Sequence, residues 1–200
     1  MIIRELKQTS PEHFTLIFDN GGELKTTLGV ITERYIHSGL ELDEELFEAL
    51  SQASALALAK ERAMRILGAR PFSREEMRRR LIEKGETPET AAECAEWLER
   101  IGLIDDKSYA ESVVRHYAAK GYGEGRVRLE LRRRGLDREL SDAVLADMPD
   151  QDEHVLKFIR ARLHDPSDRA QVKKVADALF RRGYSWDEIR RALNEFAQGE

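Results

Sequence analysis

The stretch VRLELRRRG (residues 127–135) ends in a pattern that occurs three times in the chain and decides the fold. The pattern is a leucine, two residues, a basic residue and a glycine. Its copies are LIEKG (81–85), LRRRG (131–135) and LFRRG (179–183). The copies lie 50 and 48 residues apart. An apolar residue stands four positions before each leucine, as expected for the buried face of a helix, and the glycine is a helix stop.

The flanks of the pattern repeat as well. A second apolar stripe opens five or six residues after each glycine, and a further helical segment precedes each copy. These preceding segments are ALALAKERAMRILG (55–68), SYAESVVRHYAAKG (108–121) and EHVLKFIRARLH (153–164). The sequence therefore predicts a three-helix module of about 48 residues used three times. A single module of this size buries little apolar area, so we expect neighbouring modules to pack and share core. We assign the modules to residues 43–102, 103–150 and 151–200 of an elongated chain.

The first 42 residues have a different pattern. HFTLIF (13–18) and LKTTL (24–28) are strand-like, and DNGG (19–22) between them is a turn signal. We predict a small β-hairpin or three-stranded sheet here, followed by a short helix in ITERYIHSGL (31–40) that Gly39 ends. A long helix should begin after Asp43 as its N-cap. The predicted fold class is mainly α, with a small β-rich N-terminal extension.

Composition limits the function. The chain has 200 residues, a net charge of −5 and a single cysteine, Cys94. An intrachain disulfide and a cysteine-based zinc site are therefore excluded, and a reducing cytoplasm is the expected compartment. No signal peptide or membrane-spanning run is recognisable, so no membrane contact is expected. The negative net charge means that contact with nucleic acid would have to come from local patches.

No catalytic, cofactor or metal site emerges from the sequence. Gly121, Gly123 and Gly125 match no nucleotide-binding fingerprint, and we interpret them as a helix end and a tight turn. The five histidines lack the spacing of metal ligands. Asp105 and Asp106, like several serines, stand where helix caps belong. We therefore predict a non-enzyme without cofactor or metal. Trp97, Tyr109, Tyr117, Phe180 and Trp186 stand at helical spacings among apolar residues. We expect most of these five to pack in the core, with stacking on nucleic-acid bases as the alternative.

The middle module differs from the other two in its arginines. Arg126 aligns with Glu76 and Lys174, and Arg132 with Ile82 and Phe180. Arg78 and Arg128 share a register that we expect to be exposed, where the third copy has Ala176, while Leu129 is apolar where the others have Arg79 and Asp177. The basic residue before each repeat glycine suits a helix C-terminus and is interpreted as structural. Arginine with an apolar anchor is favoured at interfaces. The predicted partner-binding residues are Arg78, Arg126, Arg128, Leu129, Arg132 and Arg133.

Several motifs in this order resemble the RecX family, the bacterial regulators of the RecA recombinase. The resemblance covers about residues 50–196 and rests on ARPFS (69–73), on GLIDD followed by YA (102–110), and on KGYGEGRVRLELRRRG (120–135). It implies tandem three-helix repeats and a protein that binds in the groove of the RecA filament on single-stranded DNA. It further implies inhibition of filament extension, ATP hydrolysis and strand exchange. We would transfer no function to the N-terminal extension.

Two functions remain open at this stage. The first is a regulatory protein that binds the RecA filament, with at most weak direct contact to DNA, and nothing in the sequence requires more than a monomer. The alternative is a direct nucleic-acid binder that uses its modules as helix-turn-helix readers. A salt-dependent mobility shift in the absence of RecA would distinguish the second from the first.

Overall fold

The computed structural model describes residues 1–198 and divides the chain into two compact units, Met1–Ile104 and Asp105–Glu200. The first unit contains a small sheet and three-helix module 1, and the second contains modules 2 and 3. No helix within residues 1–198 combines the length and the apolar composition that crossing a bilayer requires. The mainly helical fold with tandem three-helix modules and a small N-terminal sheet is confirmed.

The N-terminal sheet has three antiparallel strands in the order β1-β2-β3. Their bounds are Ile3–Gln8 for β1, His13–Phe18 for β2 and Glu23–Thr27 for β3. The predicted turn at 19–22 joins β2 to β3, and Gly21 adopts a φ of 80° in it. Leu16 of β2 pairs with Leu6 and Leu24 of its neighbours and is fully buried. The alternation of β2 therefore places one face of the sheet against the core.

The short helix after the sheet differs from its prediction at both ends. Helix α1 spans Leu28–Glu33, because Thr27 at the end of β3 acts as its N-cap by accepting a hydrogen bond from the backbone N–H of Val30. It ends six residues before Gly39, and Tyr35 beyond its end adopts a φ of 53°. The predicted helix over 31–40 with a stop at Gly39 is therefore wrong. The helix begins earlier than the apolar pattern indicated, because Thr27, the last residue of β3, serves as its N-cap.

Helix α2, Glu44–Leu67, begins as predicted: the Asp43 carboxylate accepts a hydrogen bond of 2.8 Å from the backbone N–H of Leu46. The 24 residues of α2 contribute side chains to two hydrophobic cores, that of the N-terminal sheet and that of module 1. Leu50 packs with the sheet, whereas Ala59 and Ala63 pack with module 1. The extension and module 1 are thus joined by a shared helix, and the boundary after residue 42 stays a prediction.

Module 1 is completed by α3, Arg74–Glu83, and α4, Pro88–Arg100. Ser73 and Glu76 form a reciprocal capping box at the start of α3, a common sequence signature of a helix start. Met77, Leu81 and Cys94 are fully buried in the module core. Burial raises the pKa of the Cys94 thiol to about 11, so this cysteine is a structural one.

The second unit repeats the arrangement twice. Module 2 comprises α5, Asp106–Ala119, α6, Glu124–Arg133, and α7, Arg138–Ala146; module 3 comprises α8, Asp152–Arg160, α9, Arg169–Arg181, and α10, Trp186–Gln198. The predicted stripe is buried in each copy, as Val127 and Leu131 in α6 and as Val175 and Leu179 in α9. The repeat glycines Gly85, Gly135 and Gly183 have φ values of 95°, 76° and 94°. Glycine is required there because a left-handed backbone strains any residue with a Cβ atom.

Candidate partner-binding surface

The six predicted partner-binding residues lie on two helices. Arg78 is on α3 of the first unit, and the other five are on α6 of the second unit. The register shared by Arg78 and Arg128 was predicted to be exposed, and this holds only in part. The two arginine side chains are 36% and 42% exposed, whereas Ala176 is buried, because the register borders the apolar stripe of its helix.

Arg78 is bound within its own helix. Its Nε donates to Oε2 of Glu75 at 2.7 Å and a terminal nitrogen donates to Oε1 at 2.9 Å. Arg79 donates to the same carboxylate at 2.8 Å. These hydrogen bonds, with that from Arg78 the largest, lower the pKa of Glu75 to about 2. The structure therefore assigns Arg78 an intrahelical ion pair, and a role at a partner stays a prediction.

The Glu75 ion pair should make the first unit sensitive to acid. A depressed carboxylate pKa contributes stability that is present above the unfolded pKa of 4.5 and lost as the pH falls toward about 2. We expect Glu75→Gln to cost about 1 kcal/mol at neutral pH, since the pair is near the surface. The difference in unfolding free energy should disappear near the bottom of that range. Urea unfolding of both proteins at several pH values measures it.

The matched control is Glu96→Gln on α4. Glu96 is exposed, and the described residues contain no ion pair to it. Its variant should follow the wild-type pH profile. If Glu75→Gln loses unfolding free energy with falling pH to the same extent as the wild type, the Glu75 ion pair is not the cause of the acid sensitivity.

On α6 two of the arginines have partners in their own module. Arg128 donates to Oε1 of Glu124 at 2.7 Å and also to Asp142, which ties α6 to α7. These hydrogen bonds, with Asp142 the main cause, raise the pKa of Arg128, and the Arg128 guanidinium in turn lowers the pKa of Asp142. Arg133 lies 3.8 Å from the carboxylate of the buried Glu130. Part of the predicted cationic surface is thus already neutralised inside the module.

Arg134, which stands before the repeat glycine, has the structural role that was expected. Besides placing a positive charge at the helix end, it makes hydrogen bonds to two side chains. Its guanidinium donates to Glu130 at 2.9 Å and also to the Tyr109 hydroxyl. Tyr109 is in the core of module 2. Arg134 therefore connects α6 to α5.

Arg126 and Arg132 behave differently. Over residues 1–198 neither guanidinium has a hydrogen bond or an ion pair. Between them on the helix lies Leu129, whose side chain is 37% exposed. Leu129 lines two adjoining grooves. One, of about 600 Å³, also contains Arg126, Phe180 and Arg181; the other, of about 730 Å³, also contains Arg132. These residues make an open cationic and apolar surface.

Gly123, the N-cap of α6, and Gly125, in the first turn of α6, contact module 3. The N–H of Gly123 donates to the carbonyl of Arg182 at 3.0 Å, and the N–H of Gly125 donates to the carbonyl of Gly183 at 2.9 Å. A Cβ added at Gly123 would lie 2.6 Å from the carbonyl carbon of Gly183, and one added at Gly183 would lie 2.6 Å from Cβ of Arg126. We call Gly123, Gly125 and Gly183 the glycine joint. The turn interpretation is correct but incomplete, because close backbone approach also requires these glycines.

Side chains of module 3 consolidate the glycine joint. The buried Tyr184 hydroxyl donates to the carbonyl of Gly121 at 3.0 Å, and burial raises the pKa of Tyr184 to about 12. Arg182 donates to the same carbonyl at 3.3 Å, and its guanidinium lies over the rings of Tyr122 and Phe158. Modules 2 and 3 are therefore held in one register by both backbone and side chains.

Two aromatic residues depart from the core prediction. Tyr109 is buried, and Trp97 and Tyr117 pack against module cores. Phe180 and Trp186, in contrast, are 51% and 49% exposed and are the two exceptions among the five residues. Their rings stack on each other with centroids 5.1 Å apart. One signal in the sequence pointed to this: Phe180 shares the register of the exposed Arg132.

In the first unit, three side chains that the sequence analysis did not single out form a chain of hydrogen bonds. Ser10 Oγ lies 2.7 Å from Nδ1 of His13, and Nε2 of His13 lies 2.7 Å from Glu61 of α2. Hydrolase triads use the ring the other way round, with the acid at Nδ1 and the nucleophile at Nε2. Ser10 and His13 belong to one tight turn, closed by the hydrogen bond from the Thr9 N–H to the His13 carbonyl at 2.9 Å. The arrangement therefore ties the β1–β2 turn to α2.

The described residues contain no group of three or more His, Cys, Asp or Glu side chains placed to hold a metal ion. Asp105 accepts hydrogen bonds from the N–H groups of Lys107 and Ser108 at the start of α5. The Ser108 hydroxyl also donates to Asp105, at 2.7 Å, and this bond, followed by the one from the Ser108 N–H, lowers the pKa of Asp105. Asp105 is a helix cap, as the sequence indicated.

Fold and surface together define the class: a tandem three-helix-repeat protein with an arginine-rich face on its middle repeat. The family models for the first, second and third three-helix domains of RecX match residues 59–98, 105–145 and 150–193. The chain therefore belongs to the RecX family, and the resemblance in its motifs is confirmed.

Curated relatives agree with this assignment. The regulatory protein RecX of Xanthomonas campestris pv. campestris (strain B100) is 40% identical over 135 residues, which cover 66% of this chain and 83% of the relative. The regulatory protein RecX of Stenotrophomonas maltophilia (strain R551-3) is also 40% identical, over 138 residues with the same coverage. This chain is thus similar to proteins named as regulators.

Solved structures share the fold. A crystal structure of a regulatory protein RecX superimposes with a TM-score of 0.74 at 24% identity and covers 100% of this chain and 99% of that one. The crystal structure of RecX from Lactobacillus salivarius has a TM-score of 0.65 at 25% identity, covering 73% of this chain and 99% of that chain.

Proposed function

We propose that the protein binds the RecA nucleoprotein filament and inhibits filament extension, ATP hydrolysis and strand exchange, and thereby regulates recombination and DNA repair. Membership of the RecX family supports the partner. The observation that carries the site is on α6: Arg126 and Arg132 are without partners over residues 1–198, and the half-exposed Leu129 lies between them. Arginine beside an exposed apolar anchor is the composition of a protein interface.

Tandem modules suit a repetitive partner. Modules 2 and 3 are held in one register by the glycine joint, so contacts from both can form without the entropy cost of ordering the two modules on binding. Weak contacts that are joined covalently gain avidity when they engage neighbouring sites. A filament presents such neighbouring sites.

The proposal is tested by changing four arginines of α6 to alanine together, Arg126, Arg128, Arg132 and Arg133. The helical fold should persist, because Arg132 and Arg133 are exposed and Arg126 and Arg128 are partly exposed, and substitutions outside the core usually cost within about 0.5 kcal/mol each. The Arg128 change adds the loss of its ion pairs to Glu124 and Asp142. We expect roughly tenfold or more weaker inhibition of RecA ATPase on single-stranded DNA. Circular dichroism checks the fold and an ATPase titration measures the inhibition.

The matched control replaces four exposed arginines elsewhere in the second unit, Arg115, Arg160, Arg169 and Arg190. It removes the same number of positive charges and should inhibit like the wild type. Full inhibition by the α6 variant would place the interface elsewhere. A wild-type protein that neither binds the filament nor alters its ATPase would refute the function itself. A mobility shift of DNA without RecA, with a steep salt dependence, would favour the direct nucleic-acid binder.

A further inference from the structure

Modules 2 and 3 jointly expose an apolar cluster. Leu129 of α6 and Phe180 of α9 line the same groove, and Trp186 at the start of α10 stacks on Phe180. Their side chains are 37%, 51% and 49% exposed. A contiguous exposed patch with two large aromatic residues is typical of an interaction site, whereas scattered exposed apolar residues are not.

Three arginines without partners surround this cluster. Arg126 and Arg181 line the groove with Leu129 and Phe180, and Arg132 lines the adjoining groove on the other side of Leu129. Within residues 1–198 no hydrogen bond or ion pair engages any of these guanidinium groups. We call Leu129, Phe180, Trp186, Arg126, Arg132 and Arg181 the two-module surface.

The carboxylates beside the two-module surface are already engaged. Glu124 accepts from Arg128 at 2.7 Å. Glu188 accepts from the backbone N–H of Ser185 at 2.7 Å and from its hydroxyl at 2.6 Å. Neither carboxylate therefore pairs with the three arginines. The complement of such a surface carries negative charge next to an apolar side chain.

We infer that the two-module surface binds an acidic amphipathic segment of the protein partner. An apolar side chain of that segment packs between Leu129 and Phe180, and its carboxylates reach Arg126, Arg132 and Arg181. The inference rests on the proposed function and deepens it, because it names the chemistry by which the filament protein is recognised. It also adds Arg181, Phe180 and Trp186 of module 3 to the residues of α6.

A protein segment fits this surface better than nucleic acid does. Leu129 at the centre of the surface offers no ring on which a base could stack. In single-strand binding sites, successive bases stack on aromatic rings along a positively charged groove.

The test uses the full chain and RecA filaments assembled on a single-stranded oligonucleotide with a slowly hydrolysed ATP analogue. We expect Phe180→Ser with Trp186→Ser to weaken filament binding roughly tenfold or more, because aromatic anchors dominate interface energies. Arg126→Glu with Arg181→Glu should weaken it similarly through charge reversal. The matched control is Leu46→Ser on α2, whose side chain is 52% exposed in the first unit. It should bind like the wild type.

The experiment distinguishes an error in the surface inference from an error in the proposed function. If the wild-type protein does not bind the filament, the proposed function is wrong. If it binds, and if the aromatic and the charge-reversal double variants bind as well as the wild type while their circular dichroism melts are unchanged, the surface inference alone is overturned. A labelled oligonucleotide without RecA is the second probe, and parallel loss of its binding in the aromatic variant would overturn the protein-segment inference in favour of a base-stacking platform.

A photo-crosslinker placed at position 129 identifies the occupant. Mass spectrometry of the crosslinked filament should find a partner peptide with an apolar residue and at least two acidic residues close together. Crosslinks to DNA, or only to peptides without carboxylates, would overturn the inference. So would intact filament binding without any crosslink.

Discussion

Gly183→Ala is expected to be among the most destabilising single substitutions in the second unit. The residue has a φ of 94°, and an added Cβ would lie 2.6 Å from Cβ of Arg126 and also meet its backbone nitrogen. A left-handed backbone at a residue with a Cβ costs about 1–2 kcal/mol, and overpacking against fixed neighbours costs about 1–3 kcal/mol more. We expect a loss of roughly 3 kcal/mol in unfolding free energy, measured by urea denaturation.

Gly85→Ala is the matched control, since Gly85 stands at the same repeat position in module 1. Its φ is 95°, but nothing lies within 4 Å of an added Cβ. It should show the backbone cost alone, about 1–2 kcal/mol. Equal losses in the two variants would show that close approach at the glycine joint is unimportant.

Hydrogen exchange gives an independent measure of the same prediction. The N–H groups of Gly123 and Gly125 donate to the carbonyls of Arg182 and Gly183. Their protection should fall in Gly183→Ala, because local opening of the joint exposes them to solvent. It should remain unchanged in Gly85→Ala.

Leu131→Ala is the second substitution with a large expected effect. Leu131 is fully buried at the centre of the module 2 core. Truncation of a buried leucine to alanine costs about 2–5 kcal/mol, since it loses transfer free energy and leaves a cavity. Chemical denaturation followed by circular dichroism should show this loss.

Leu129→Ala, two positions away on the same helix, provides the comparison. The Leu129 side chain is 37% exposed, so its truncation should cost under about 1 kcal/mol. The two substitutions should also differ in the property that they change. Leu129→Ala should weaken partner binding with the fold intact, whereas Leu131→Ala should lower the free energy of unfolding. Similar stability losses would mean that Leu129 belongs to the core.

The repeat architecture could be predicted from the sequence because its determinants are local. Val127 and Leu131 lie one turn apart on a helix, and Gly135 supplies a backbone conformation that other residues strain to adopt. Asp43 was likewise identified as a cap from its place before an apolar pattern. Each signal needs only a few neighbouring residues. The helix after β3 was misplaced for a related reason, because its cap, Thr27, also ends a strand.

The candidate surface depended on distant residues. Arg126 and Arg128 are two positions apart in the sequence, but Arg128 is paired because Asp142 of α7 faces it. Phe180 and Trp186 have the spacing of core residues, yet their rings stack on each other at the surface. Helical periodicity indicates which residues share a face, but it does not indicate which neighbour covers that face.

By itself, the sequence determined the three helix–glycine–helix repeats, the N-terminal strands and the family, because these depend on local spacing and on motifs read in order. Only the tertiary structure decided why Gly123 and Gly125 are glycines and which arginines of α6 form ion pairs within the module. Gly183 approaches them from a different module, far along the chain. Close packing and ion pairing are set by distances in space, and those distances exist only once the modules have folded against each other.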